Sequence, residues 1–297
     1  MTKLAKLVSR PIHWTARCWL VCLFMLVGSY PCWSQSGGTR LLVRIDDMGF
    51  SHAANVACME SYTNGIARSV EVIVPGPWFE EAVQMLREYP DLDVGVHLAL
   101  TSEWANLKWR PLTHAPSLVD EDGYFFPMIW QNQRFPDLGY LQSRDWSLAE
   151  VEAEWRAQIE LAKKKIPQLT HLSGHMGCSN ISAEAHQVMR KLAAEYALDI
   201  HIEDLGVKRV PAWSGNQYSA REKERRFIDM LQQLGPGDWL LVEHPGYEVM
   251  ELQTVGHKGY ENVAADRAGV TKVMTSKKVR KVLQKLNIEL ISYADLK

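Results

Sequence analysis

Short runs of apolar and β-branched residues alternate along the chain with stretches whose apolar positions recur every three to four residues. The runs "RLLVRI" (40–45), "SVEVIV" (69–74), "DVGVHLAL" (93–100), "LTHLSGH" (169–175), "LDIHIED" (198–204), "DWLLVEH" (238–244) and "IELISY" (288–293) read as strands. Between them, "SLAEVEAEWRAQIELAKKK" opens with a capping-box pair, Ser147 and Glu150, and aligns Val151, Trp155, Ile159 and Ala162 on one helical face. "SAEAHQVMRKLAAEYA" and "TSKKVRKVLQKL" follow the same rule. Repeated strand-then-helix order calls for parallel strands joined by right-handed crossovers. The pattern predicts an α/β fold with about seven mainly parallel strands. Residues 103–146 break the rhythm, being aromatic and punctuated by Pro and Gly, and they read as a lid or substrate loop.

Chemistry gathers where those strands stop. Asp46 and Asp47 end the first run, His97 lies late in the third, His175 closes the fourth, Glu203 falls in the fifth and His244 closes the sixth. In a βα barrel the C-terminal strand ends share one face, so these residues are expected to converge there. An aspartate with two histidines leaves open positions on a bound cation, as catalytic metal sites do. Such a cation polarises a carbonyl and acidifies water, a neighbouring carboxylate serves as base, and a separate histidine protonates a leaving group. In an extended segment adjacent side chains point apart, so only one of the two aspartates need be a ligand. His171 and His175, four apart, share a strand face, and spacing does not separate them. Singly, each piece has a plainer reading: a solvated turn for the aspartate pair, a hydrogen-bonded core residue for His97, and a strand-to-loop turn for "VEHPGY". His52, His114, His186, His201 and His257 read as surface or packing residues.

The first residues form a separate segment. Lys3, Lys6, Arg10 and Arg17 precede the apolar run "CWLVCLFMLVGSY", and small polar residues follow it. That order is a secretory signal over 1–34, leaving a single domain over 35–297 and a secreted or periplasmic product. The apolar run is shorter than the roughly 20 residues of a comfortable membrane span, so an uncleaved anchor is the rival reading. "SYP" before Cys32 lacks the small residues of a lipoprotein site. Cys58 and Cys178 remain in the domain, read as two free thiols rather than a disulfide framework. A net charge of −2 with mixed signs provides no basic patch for nucleic acid, and composition leaves a homodimer open.

The motifs "IDDMGFS", "NGIARSVEVIVPG", "VGVHLALTSEW", "THLSGHMG" and "LLVEHPGY" resemble, in order and spacing, the YdjC-like (ChbG-type) carbohydrate deacetylases. The C-terminal "DRAGVTKVMTSKKVRKVLQKLNIELISYADL" is similar to that family's ending, so the resemblance spans residues 40–297. It implies a distorted, incomplete (β/α) barrel, one divalent metal ion (Mg2+ or Zn2+) and hydrolysis of acetyl groups on acetylated amino sugars. It further implies Asp46 as general base, Asp47, His97 and His175 as metal ligands, and His244 as general acid. His171 then becomes a supporting strand residue. The chain departs from the family where Ser173 stands in a commonly acidic position, where "HMGCSN" replaces further histidines, and where "RIDD" replaces Asn-Ala-Asp-Asp. A hydrolase of another amide or ester and a non-catalytic carbohydrate-binding barrel are the competing readings. Retention of both Asp46 and His244 argues against the binder, which needs neither.

Overall fold

The computed structural model describes residues 37–136 and 138–297; the proposed signal segment lies outside them. The elements run β1 (Thr39–Met48), α1 (His52–Thr63), β2 (Ser69–Val72), α2 (Phe79–Arg87), β3 (Asp93–Leu98), α3 (Leu148–Lys165), β4 (Leu169–Gly174) and α4 (Ala183–Glu195). They continue with β5 (Lys208–Arg209), α5 (Ala220–Leu231), β6 (Gly237–Glu243), α6 (Met250–Gln253), α7 (Val263–Met274), α8 (Lys277–Lys285) and β7 (Glu289–Ile291). Among the described residues the strands form one seven-stranded parallel sheet in the order β4-β3-β2-β1-β6-β5. β7 pairs with residues 40–42 of β1, and β2 with residues 44–48 of it. β6 runs along residues 39–45 of the same strand, so β1 is paired along both edges. The sheet curls into the expected incomplete barrel.

The run 198–204 is not a strand. Helix α4 stops at Tyr196, Ala197 takes a left-handed φ of +56°, and Asp199 makes one antiparallel bridge to His171 before the chain turns. Its alternation arises because Leu198 and Ile200 are buried while Glu203 is exposed. Burial on one side produced a strand-like pattern without a strand partner to pair with. The fifth strand is instead Lys208–Arg209, which pairs with β6.

Alternation of side chains sorts the barrel strands into two faces. Leu41, Val43 and Ile45 join the large core that includes Ala54 and Cys58 of α1. Leu42, Leu240, Ile291 and Tyr293 form a second, inward apolar cluster. Arg44 and Asp46 follow Leu42 at two-residue steps, so the interior becomes charged toward the C-terminal strand ends. Val151, Trp155, Ile159 and Ala162 are fully buried along α3, as their spacing predicts.

The segment 103–146 is irregular but anchored. The Ser147 side chain accepts the Glu150 N–H at the start of α3, yet the reciprocal half of the capping box is missing. Glu150 instead accepts from Ser117 N and Oγ at 2.9 and 2.7 Å, while the Ser117 hydroxyl oxygen accepts the Ser147 N–H. One turn on, fully buried Glu154 accepts from Leu112 N and Thr113 N at 3.1 and 2.9 Å. Two carboxylates on one face of α3 therefore tie down the loop. Cys58 and Cys178 are both free and buried.

Trp155 is the largest of the fully buried side chains. Trp155→Ala is expected to cost about 3–5 kcal/mol, the range for deleting a buried aromatic. Urea unfolding measures it; a loss under about 1 kcal/mol would mean that α3 contributes little to the core.

Candidate active site

β1 carries both aspartates, and its backbone decides where they point. Asp47 has φ +70°, and the β1–β2 register shifts between Ile45 and Met48. A left-handed residue breaks the two-residue alternation of a strand. The expectation that the two side chains diverge is therefore corrected: Asp46 Oδ2 and Asp47 Oδ1 lie 3.6 and 3.7 Å from the same atom, His97 Nε2. Nor does the strand stop at the pair, since it runs on to Met48.

The structure brings together Asp47 from β1, His97 from β3 and His175 just after β4, with one ligand-type atom from each lying within 4.8 Å of the others. All three are buried, as is Asp46. His175 Nδ1 lies 3.2 Å from Asp47 Oδ1. Oδ1 is buried and takes part in no hydrogen bond of standard geometry. The other oxygen, Oδ2, accepts from Arg267 Nη2 at 2.7 Å. His244 follows the end of β6, is half-buried, and lines the same cavity of about 520 Å³. His171 does not compete with His175: its Nε2 is 2.5 Å from Glu71 Oε1, and its ring stacks on Tyr293 at 3.4 Å, beneath the cluster.

Charges and partners set the protonation states. Burial pushes the Asp47 carboxyl up, but His244, Arg267 and His175 together hold it well below the usual carboxylate range. Burial and the adjacent His175 push His97 down to about 3, leaving a neutral imidazole. Burial pushes His175 down as well, but Glu103 and Asp47 outweigh it and hold its proton up to about 10. The two imidazoles meet edge to face with centroids 5.1 Å apart. Each has its far nitrogen engaged: His175 Nε2 is 3.1 Å from Glu103 Oε2, and His97 Nδ1 is 2.6 Å from Ser173 Oγ. A carboxylate oxygen without a well-aligned hydrogen bond, facing two imidazole nitrogens, is a donor set that fits one divalent cation with open positions.

Four charged residues of the site escaped the sequence reading. Arg44 donates from Nε and Nη2 to the two oxygens of Asp46, each at 2.8 Å. Glu71, Glu103 and Arg267 hold His171, His175 and Asp47 respectively. A signal existed for the first two: a single charge inside "LLVRI" and inside "SVEVIV" is costly in a buried strand unless paired. His257 packs as expected, stacked on Trp104, but it and His201 also line the cavity, together with Met128, Asn132 and Phe135 of the anchored loop.

A family model described as YdjC-like protein matches residues 40–285, and the chain belongs to the YdjC-like family. A carbohydrate deacetylase from Thermus thermophilus is 33% identical over 232 residues, 70% of this chain and 78% of that one. Carbohydrate deacetylase 2 of Listeria innocua is 26% identical over 266 residues, covering 86% and 98% of the two chains. In fold, the chain is similar to an Enterococcus faecalis V583 protein named for cellobiose-phosphate cleavage. Its crystal structure gives a TM-score of 0.66 at 23% identity, with 88% of this chain and 99% of that one covered.

Asp47→Asn, His97→Ala and His175→Ala are each expected to abolish stoichiometric binding of a divalent cation, measured by calorimetry and metal content. A variant that keeps wild-type affinity removes that residue from the set. Uptake at this site must displace the proton that His175 otherwise holds to about 10. Apparent affinity should therefore climb between about pH 6 and pH 9 with about one proton released per ion. Calorimetry in buffers of different ionisation enthalpy counts that proton, and a count of zero refutes the assignment.

Proposed function

We propose that this protein is a metal-dependent carbohydrate deacetylase acting on acetylated amino sugars. The observation that carries the reading is the convergence of Asp47, His97 and His175 around the buried Asp47 Oδ1, which has no hydrogen bond of standard geometry. Asp46 and His244 line the same cavity. The names of the relatives agree with it. A divalent cation (Mg2+ or Zn2+) held by the three ligands supplies Lewis acidity toward an acetyl carbonyl and acidifies water.

The chain's own residues then divide the proton work. Asp46 is the general base, fixed in orientation by the two-pronged grip of Arg44. His244 arrives from β6 and, in this reading, is the acid that protonates the departing amine. Met128, Asn132 and Phe135 of the loop tied to α3 form part of the remaining cavity wall, where they would help to enclose a substrate. Hydrolysis of a different amide or ester uses the same apparatus and is the alternative; loss of turnover in a binding barrel is the other. The mature enzyme works outside the cytoplasm after its leader is removed.

Acetate release from a panel of acetylated chito-oligosaccharides, with and without chelator, tests the reading directly. Chelator-sensitive release supports it, and release only from other amides or esters moves the assignment to the alternative. Binding without any release leaves the non-catalytic barrel. Asp46→Asn should keep the cation and lose roughly 10²–10⁴-fold in turnover, with a smaller loss for His244→Ala on substrates with better leaving groups. If Asp46→Asn abolishes cation binding while Asp47→Asn retains it, the two aspartates have exchanged roles. N-terminal sequencing of exported protein should begin within a few residues of Gln35, and a full-length membrane-bound product would contradict the leader.

A further inference from the structure

Directly beneath the proposed ligands lies a second layer of buried charge. Glu71 on β2, Gly95 on β3 and His171 on β4 are register partners across three neighbouring strands. Two residues further along, His97 is the register partner of Ser173. Glu71 and His171 are fully buried, and their side chains meet across the middle strand. Only glycine permits this, because a Cβ at position 95 would collide with both the Glu71 carboxylate and the His171 ring.

The hydrogen bonds in this layer can be counted proton by proton. Ser173 Oγ donates to Glu71 Oε2 at 2.5 Å. A hydroxyl has one proton to give, so at its other contact Ser173 Oγ must accept. That contact is His97 Nδ1 at 2.6 Å, which places the His97 proton on Nδ1 and leaves the Nε2 lone pair facing the aspartates. An ionised carboxylate only accepts, so Glu71 Oε2 accepts the hydrogen bond from the Ser173 hydroxyl. Arg44 Nε is 3.7 Å from Glu71 Oε1 and also grips Asp46, so the same layer orients the proposed base.

We propose that Glu71 is a positioning residue for His97, acting through the Ser173 hydroxyl to set the tautomer and the aim of a metal-ligating imidazole. The carboxylate that orients this ligand comes from the neighbouring strand, two positions below it, and Ser173 bridges the gap that direct contact leaves open: Glu71 Oε2 and His97 Nδ1 are 4.0 Å apart. This inference rests on the metal role proposed for His97. The tautomer it requires is independent of that role.

The experiment uses the full-length protein, with Zn2+ titration by chelator competition, the visible spectrum of the Co2+-loaded form, and 15N shifts of His97 in the metal-free form. Ser173→Ala is expected to lower Zn2+ affinity about 10–100-fold, the usual effect of removing a partner of a metal-bound histidine, and to change the Co2+ bands. Glu71→Gln should act in the same direction. The double variant Glu71→Gln/Ser173→Asp, which moves the carboxylate onto β4 beside His97, should recover most of the lost affinity. A merely structural role for Glu71 predicts no such rescue. Gly95→Ala should weaken Zn2+ binding by forcing Glu71 and His171 apart. Wild-type Zn2+ affinity in Ser173→Ala, or a double variant as weak as Glu71→Gln, overturns the proposal. If the wild-type protein binds no divalent ion, the metal reading fails, and the 15N shifts still decide the relay. A proton on His97 Nδ1 that loses its preference in Ser173→Ala upholds it, and a proton on Nε2 in the wild type refutes it.

Discussion

Two adjacent carboxylates in a buried strand repel each other, and everything around Asp46 and Asp47 answers that repulsion. Arg44 takes both oxygens of Asp46, and Arg267 takes one oxygen of Asp47. One arginine is two residues away and the other 220, so the local strand and the far end of the chain each neutralise one acid. What remains is a single oxygen, Asp47 Oδ1, buried without a well-aligned hydrogen bond beside two imidazoles. A buried acceptor of that kind is expensive, and a cation at that point would satisfy it. Arg267 itself lies over the faces of Phe50 and Trp104, with ring centroids 4.8 and 5.5 Å from its guanidinium carbon.

The barrel makes room for this chemistry by being polar inside over only part of its length. The inward cluster of Leu42, Leu240 and Ile291 closes one end. Above it the interior carries Arg44, Glu71 and His171, and above those the proposed ligands. Each ionic group has an opposite or hydrogen-bonding neighbour, the condition under which buried charge is tolerated. The imidazoles differ in consequence. Burial and the adjacent His175 push His97 to about 3, whereas Glu103 and Asp47 outweigh burial at His175 and hold it to about 10. Two histidines of one site thus have opposite affinities for a proton.

The pattern of apolar positions by itself determined the α/β class, six of the seven strand runs and the buried face of α3, because the period of a half-buried element is written locally. The same locality misled at 198–204, where one-sided burial imitates a strand but no neighbour completes it. Motif order was enough for the choice of Asp46, Asp47, His97, His175 and His244 as the residues to watch, and the structure places them around one cavity. Apart from the Arg44 grip on Asp46, tertiary structure decided what holds them. Arg267 reaches Asp47 across 220 residues, Glu71 reaches Ser173 across 102, and Glu103 reaches His175 across 72. No local period encodes such pairs, since they follow from strand order and register. The left-handed turn at Asp47 likewise had no sequence signal, for aspartate tolerates that conformation without requiring it. Through that one torsion both carboxylates face the same imidazole.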